Sequence, residues 1–126
     1  MYEVSVSRAF VAQHYLTVPN PDPAEATLHS HHFTVEVTFR GPELAAYGYL
    51  VDIDAVIESV EAVVDGLRDE TRNDLPAFEG TNPSVERLAS VFADRLLDRL
   101  SPEVSTELRV SIREDDVATV AHTRSI

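Results

Sequence analysis

Residues 2–14 alternate in polarity. Val4, Val6, Phe10, Ala12 and His14 share one parity, and Glu3, Ser5, Ser7 and Gln13 take the other, which predicts a strand with one buried face. Pro19, Pro21 and Pro23 then fall within five residues, a segment expected as a loop without helix or central strand, because proline removes a donor and fixes φ. The next alternation is cleaner. His29, His31, Phe33, Val35, Val37 and Phe39 point one way, Thr34, Glu36, Thr38 and Arg40 the other, and Gly41-Pro42 ends the run. The period then changes to three-to-four, with Ile53, Val56, Ile57, Val60, Val64 and Leu67 on one helical face behind Asp52 as N-cap. A second helix is expected from Asn82 as N-cap and Pro83 at its first position, with Glu86 suited to the dipole of its first turn. Its buried face reads Val85, Leu88, Ala89, Phe92, Leu96 and Leu100, and Ser101-Pro102 stops it. Leu108, Val110, Ile112 and Glu114 alternate with Glu107, Arg109, Ser111 and Arg113 as a third strand; Asp115-Asp116 makes a turn, and residues 117–124 return as a fourth. The order ββααββ predicts an α+β fold, an antiparallel four-stranded sheet with two helices on one face. Without repeats or low-complexity segments, the 126 residues are expected to form one domain over 1–126.

Five histidines stand at positions 14, 29, 31, 32 and 122. His29 and His31 lie two apart on a strand, so their side chains leave the same face, with Cα atoms about 7 Å apart. If the first two strands pair as neighbours, the end of one meets the start of the other and His14 arrives beside them. Three neutral imidazoles with an open fourth position suit a catalytic zinc site. The other reading is of core or surface histidines; the shared parity weighs against it, since three unpaired imidazoles buried at one sheet end would be costly. His32 has the opposite parity, and His32 and His122 are both read as lying outside the site. Glu114 continues the apolar parity of its strand, which aims a carboxylate into the covered face where a ligand with N–H donors would satisfy it. Alternatively the strand ends at Arg113 and Glu114 is exposed in the turn.

Composition narrows the chemistry. All ten basic residues are arginine against 22 acidic ones, a net charge of −12. With no lysine there is no Schiff base and no P-loop lysine, and the acidity speaks against nucleic acid and anionic membranes as partners. The absence of cysteine excludes disulfides, thiolate zinc ligands and a cysteine nucleophile. The start, Met1 to Val6, has neither a basic stretch nor an apolar run, and no segment approaches the ~20 apolar residues of a membrane span, so a soluble cytoplasmic protein is expected.

Several segments resemble, in order, the markers of one family. Phe10-Val11-Ala12-Gln13-His14 looks like F-x-A-x-H, and Leu28-His29-Ser30-His31 looks like L-H-G-H. Tyr49-Leu50-Val51-Asp52-Ile53, Asn73-Asp74, and Asn82-Pro83-Ser84-Val85-Glu86 match further markers, and Arg113-Glu114 matches the K-E-T segment. No single motif is decisive, but the ordered set, covering essentially the whole chain, resembles the 6-pyruvoyltetrahydropterin synthase and 6-carboxytetrahydropterin synthase family. The resemblance implies a tunnelling fold (T-fold) whose subunits join their sheets into trimers that stack as a homo-hexamer. It also implies zinc held by His14, His29 and His31, and Glu114 gripping the N–H edge of a pterin. In that family zinc acidifies a C–H of the substrate side chain, a cysteine moves the proton, and an Asp-His pair assists.

The departures fall on proton transfer. Glu25 stands where the family has its cysteine, four residues before the first histidine of H-G-H, and Ser30 replaces the glycine of that motif. The segment L-D-H-x-x-L-N becomes Leu67-Arg68-Asp69-Glu70-Thr71-Arg72-Asn73, so Arg68 and Asp69 replace the Asp-His pair. A carboxylate near zinc can act as a base, so Glu25 and Asp69 are the candidate catalytic groups. In a branch of the family a glutamate near this position takes over from cysteine and the side chain is cleaved. Glu25 as a solvated loop carboxylate is the other reading. The expected function is a zinc-dependent carbon-oxygen lyase or synthase on dihydroneopterin triphosphate or a related pterin. The alternative is a pterin- or purine-binding homologue that keeps zinc without the family reaction.

Overall fold

Two 13-residue strands, β1 (Tyr2–His14) and β2 (His29–Gly41), pair antiparallel along their whole length, from Tyr2 opposite Gly41 to His14 opposite His29. The computed structural model describes residues 1–68 and 71–126, and of Glu25 the backbone alone. β3 (Glu107–Glu114) pairs with β2, and β4 (Ala118–Ser125) with β3, giving the order β1-β2-β3-β4 without a crossover between neighbours. Between β1 and β2 lies a helical turn, α1 (Pro23–Ala26), and between β2 and β3 come the two long helices α2 (Ile53–Asp65) and α3 (Val85–Arg99).

Alternation fills the core from the sheet side. Val6, Phe10, Phe33, Val35, Val37, Phe39, Leu108, Val110 and Ile112 are buried beneath Val56, Val60, Val63 and Val64 of α2 and Leu88, Phe92 and Leu96 of α3. Each such side chain is stabilised by roughly 1.5–3 kcal/mol on leaving water. Arg8 shares the parity of Val6 and Phe10 and reaches the helix layer by pairing with Glu61 of α2, so the one polar interruption in the β1 stripe has a partner. Gly41 closes β2 for a steric reason: a Cβ there would lie 2.7 Å from the Val104 carbonyl oxygen and 2.9 Å from Leu50 Cδ1.

Three local expectations are corrected. Pro23 does not prolong the loop but opens α1, because its fixed φ fits a first turn and the Asp22 side chain accepts a hydrogen bond from Ala24 N at 2.9 Å. The N-cap of α3 is Ser84, accepting from Arg87 N at 3.2 Å, and not Asn82. Asn82 is used elsewhere: its Oδ1 accepts from Thr17 N at 2.7 Å and so ties the chain after β1 to the entry of α3. Ile53, expected on the buried face of α2, is 47% exposed at the first helical position.

Candidate metal centre

The register of β1 and β2 determines what meets at their shared end. His14 faces His29 directly, and Ala12 faces His31, so parity brings three imidazoles to the helix-covered side. Their ring centroids form a nearly equilateral triangle of 4.5, 5.0 and 4.6 Å. One ring nitrogen from each lies within 4.8 Å of the others, close enough for a shared ion.

Hydrogen bonds decide which nitrogen each ring can offer. His14 Nδ1 lies 3.0 Å from the Pro83 carbonyl oxygen, and His29 Nδ1 2.8 Å from that of Thr27. A carbonyl oxygen can only accept, so His29 carries its proton on Nδ1 and keeps the lone pair of Nε2; His14 Nδ1 is engaged by the Pro83 carbonyl and by the donor-only guanidinium of Arg72, which leaves Nε2 as the nitrogen that ring can offer. His31 Nδ1 is bonded to the Asp115 carboxylate, which acts on the ring in the same way. His14 Nε2 is buried without a hydrogen-bond partner, an arrangement that would be costly unless a ligand completes it. The donor set therefore fits zinc: three neutral imidazoles, each oriented through its other nitrogen.

Two charged side chains border the rings. Arg72 is fully buried, with its guanidinium against His14 Nδ1 and 5.1 Å from the centre of the Phe33 ring. Burial lowers the His14 pKa from 6.5 to about 4, and the Arg72 charge pushes the same way, against the Pro83 bond that favours the charged form. Arg72 is itself lowered to about 10 by burial, partly offset by the charge of Glu114. Glu114 stands opposite Phe33 at the end of β3, with its carboxylate 3.7 Å from His31 Nδ1. The His31 hydrogen bond holds the Asp115 carboxyl below its ordinary pKa, and the His32 N–H adds to it.

The remaining sequence candidates lie apart or beyond description. His32 is exposed on the opposite parity, and His122 sits in β4 accepting from Arg124 Nε at 3.1 Å. The backbone of Glu25 belongs to α1, ahead of His29, while its side chain lies outside the described residues. Asp69 lies outside them as well. Arg68 is on the surface, 3.5 Å from Asp65. A cavity lined by Phe39, Tyr49, Leu50, Val56 and Leu100 lies at the other end of β2 and includes none of these groups. Sequence reading missed Arg72 and Asp115. Arg72 lies in a polar run with no periodicity to mark it as buried, and Asp115 was legible only as part of a turn.

The family model described as 6-pyruvoyl tetrahydropterin synthase matches residues 3–125. The chain belongs to that family. A curated relative, the 6-pyruvoyl tetrahydrobiopterin synthase of Drosophila melanogaster, is 31% identical over 85 residues, 65% of this chain; the match spans about half (51%) of that relative's length. Among solved structures, the 6-pyruvoyl tetrahydropterin synthase of Plasmodium vivax superposes with a TM-score of 0.84 at 16% identity, covering 99% of this chain and 98% of that one. That of Caenorhabditis elegans superposes with a TM-score of 0.76 at 21% identity, with the same coverage. At such identities the likeness concerns the fold, which is the ββααββ T-fold. Variants of the Plasmodium vivax protein are described as mutants of a catalytic glutamate.

Proposed function

We propose that this chain is a zinc-dependent lyase or synthase acting on dihydroneopterin triphosphate or a related pterin. The observation that carries the reading is the triangle of His14, His29 and His31 with Glu114 beside it, in a chain of this family. His14, His29 and His31 would hold the metal through Nε2, and Glu114 would accept the N–H groups of the pterin edge. Zinc, when bound, supplies Lewis acidity that makes a C–H of the substrate side chain easier to ionise. Glu25 is assigned as the base that takes that proton, four residues before His29, and Asp69 as a second carboxylate for proton transfer. Among the described residues the outer edge of β1 is bridged only at Gln13, to Thr71, and β4 has no strand on its outer side, which supports assembly into trimers and hexamers by sheet joining. No helix among the described residues is long and apolar enough to cross a membrane, and the cytoplasm is the compartment proposed.

A second reading keeps zinc and pterin binding without conversion; the absence of any cysteine favours it. One set of measurements separates the two. The full chain is incubated with dihydroneopterin triphosphate, products are identified by mass spectrometry, and bound zinc is measured. Conversion is expected, with Glu25→Gln keeping pterin affinity within a few-fold and losing roughly 10²–10⁴ in turnover. Glu114→Ala should weaken pterin binding with zinc retained, and His29→Ala and His31→Ala should lose the metal. Tight pterin binding with no conversion selects the second reading, and full zinc occupancy in both histidine variants refutes the metal assignment.

A further inference from the structure

The hairpin between β3 and β4 turns on four residues, Glu114-Asp115-Asp116-Val117, closed by Val117 N donating to the Glu114 carbonyl at 2.9 Å. Both central residues have positive φ, 50° at Asp115 and 57° at Asp116. Such a turn matches the twist of the flanking strands, and Asn-Gly is its favoured pair because both positions are left-handed. Asp-Asp tolerates the geometry but does not relax it. Asp116 is held in place locally, with Arg113 Nε 3.2 Å from its carboxylate and Arg113 Nη2 donating to its carbonyl at 3.2 Å.

Asp115 points elsewhere. Its backbone N–H donates to the His32 carbonyl at 2.8 Å, and its Oδ1 accepts from His32 N at 2.8 Å. These two bonds extend the β2–β3 pairing one residue past Phe33 and Glu114 and fix the carboxylate over the start of β2. The second oxygen, Oδ2, is bonded to His31 Nδ1. One oxygen is therefore anchored by backbone, and the other is aimed at a ring that shares the histidine triangle. In the K-E-T pattern the residue after the glutamate is threonine, a neutral hydroxyl; here it is a carboxylate.

We propose that Asp115 is the positioning residue of the metal centre: by accepting from His31 Nδ1 it holds that ring in the tautomer whose Nε2 can bind zinc. The proposal rests on the zinc reading above and adds a group outside the ligand set. A carboxylate behind a ligating histidine fixes the ring and raises its basicity, and its loss typically lowers metal affinity about 10–100-fold. His29 Nδ1 meets the neutral carbonyl of Thr27, whereas His31 Nδ1 meets the Asp115 carboxylate.

Asp115→Asn separates positioning from turn formation. Asparagine suits a left-handed position and its Oδ1 can still accept from His32 N. Its NH₂ then faces His31 Nδ1 as a donor, which favours the proton on Nε2, the wrong tautomer for a ligand. The expected result is a zinc affinity about 10–100-fold weaker in chelator competition, with the melting temperature of the metal-free protein nearly unchanged. Asp115→Ala should lower both. Nitrogen chemical shifts of His31 in the metal-free full chain give a readout independent of zinc: Nδ1–H in the wild type, Nε2–H in Asp115→Asn. Zinc affinity within two-fold of wild type for Asp115→Asn overturns the proposal when His31→Ala abolishes binding. If the wild-type chain binds no zinc, the zinc reading fails by itself. The His31 tautomer then still decides on Asp115, Nε2–H in the wild type overturning it.

Discussion

Acidifying the metal-free protein probes the burial of His14 with a calculable magnitude. The ring is 3% exposed, lies against the Arg72 guanidinium, and has its pKa lowered from 6.5 to about 4, first by desolvation and then by that charge. Between these two values the unfolded chain binds a proton that the folded chain refuses. Stability therefore rises with pH across the interval: the contribution is whole above pH 6.5 and is lost as the pH falls to about 4. At about 1.4 kcal/mol for each unit of pH, the gap corresponds to about 3 kcal/mol, a large part of the stability of a small domain. Urea denaturation across this pH range, in the presence of a chelator, measures it. Carboxylates also titrate there in a chain with 22 acidic residues, so the decisive quantity is the difference from His14→Gln, which keeps them all. The wild type should lose about 3 kcal/mol more than that variant on going from pH 6.5 to 4. Parallel stability curves would refute the argument, because they would mean that His14 takes up its proton in the folded state as easily as in the unfolded one.

Arg72→Met replaces a buried cation by an apolar side chain of similar reach. It should raise the His14 pKa towards its ordinary value and tighten zinc binding about tenfold or more in chelator competition, since a fixed positive charge no longer opposes the ion. Unchanged zinc affinity would show that the guanidinium is screened from the triangle. For assembly, light scattering at micromolar concentration and moderate salt should give a trimer or larger, salt being needed because −12 per chain opposes association. A monomer under those conditions contradicts the sheet-joining assignment.

Local periodicity made most of the architecture legible. Period-two alternation marks β1, β2 and β3 because neighbouring side chains in a strand take opposite faces, and the three-to-four spacing marks α2 and α3 because a helix turns every 3.6 residues. The same parity named His14, His29 and His31 as sharing a face, since a strand carries that information within itself. Contacts between distant segments are not written locally. Asn82 reads as a helix cap from its neighbours, yet it binds Thr17, 65 positions away, and leaves the cap to Ser84. Arg72 sits in a run of polar residues and is nonetheless fully buried, because the segment after α2 folds back onto the end of β1. Asp115 reads as a turn former, and only the β2–β3 register brings its carboxylate to His31, 84 residues earlier in the chain. Periodicity determines which face a residue occupies; strand register and chain return decide which charges stand behind the histidines, because those depend on pairings that no local spacing encodes.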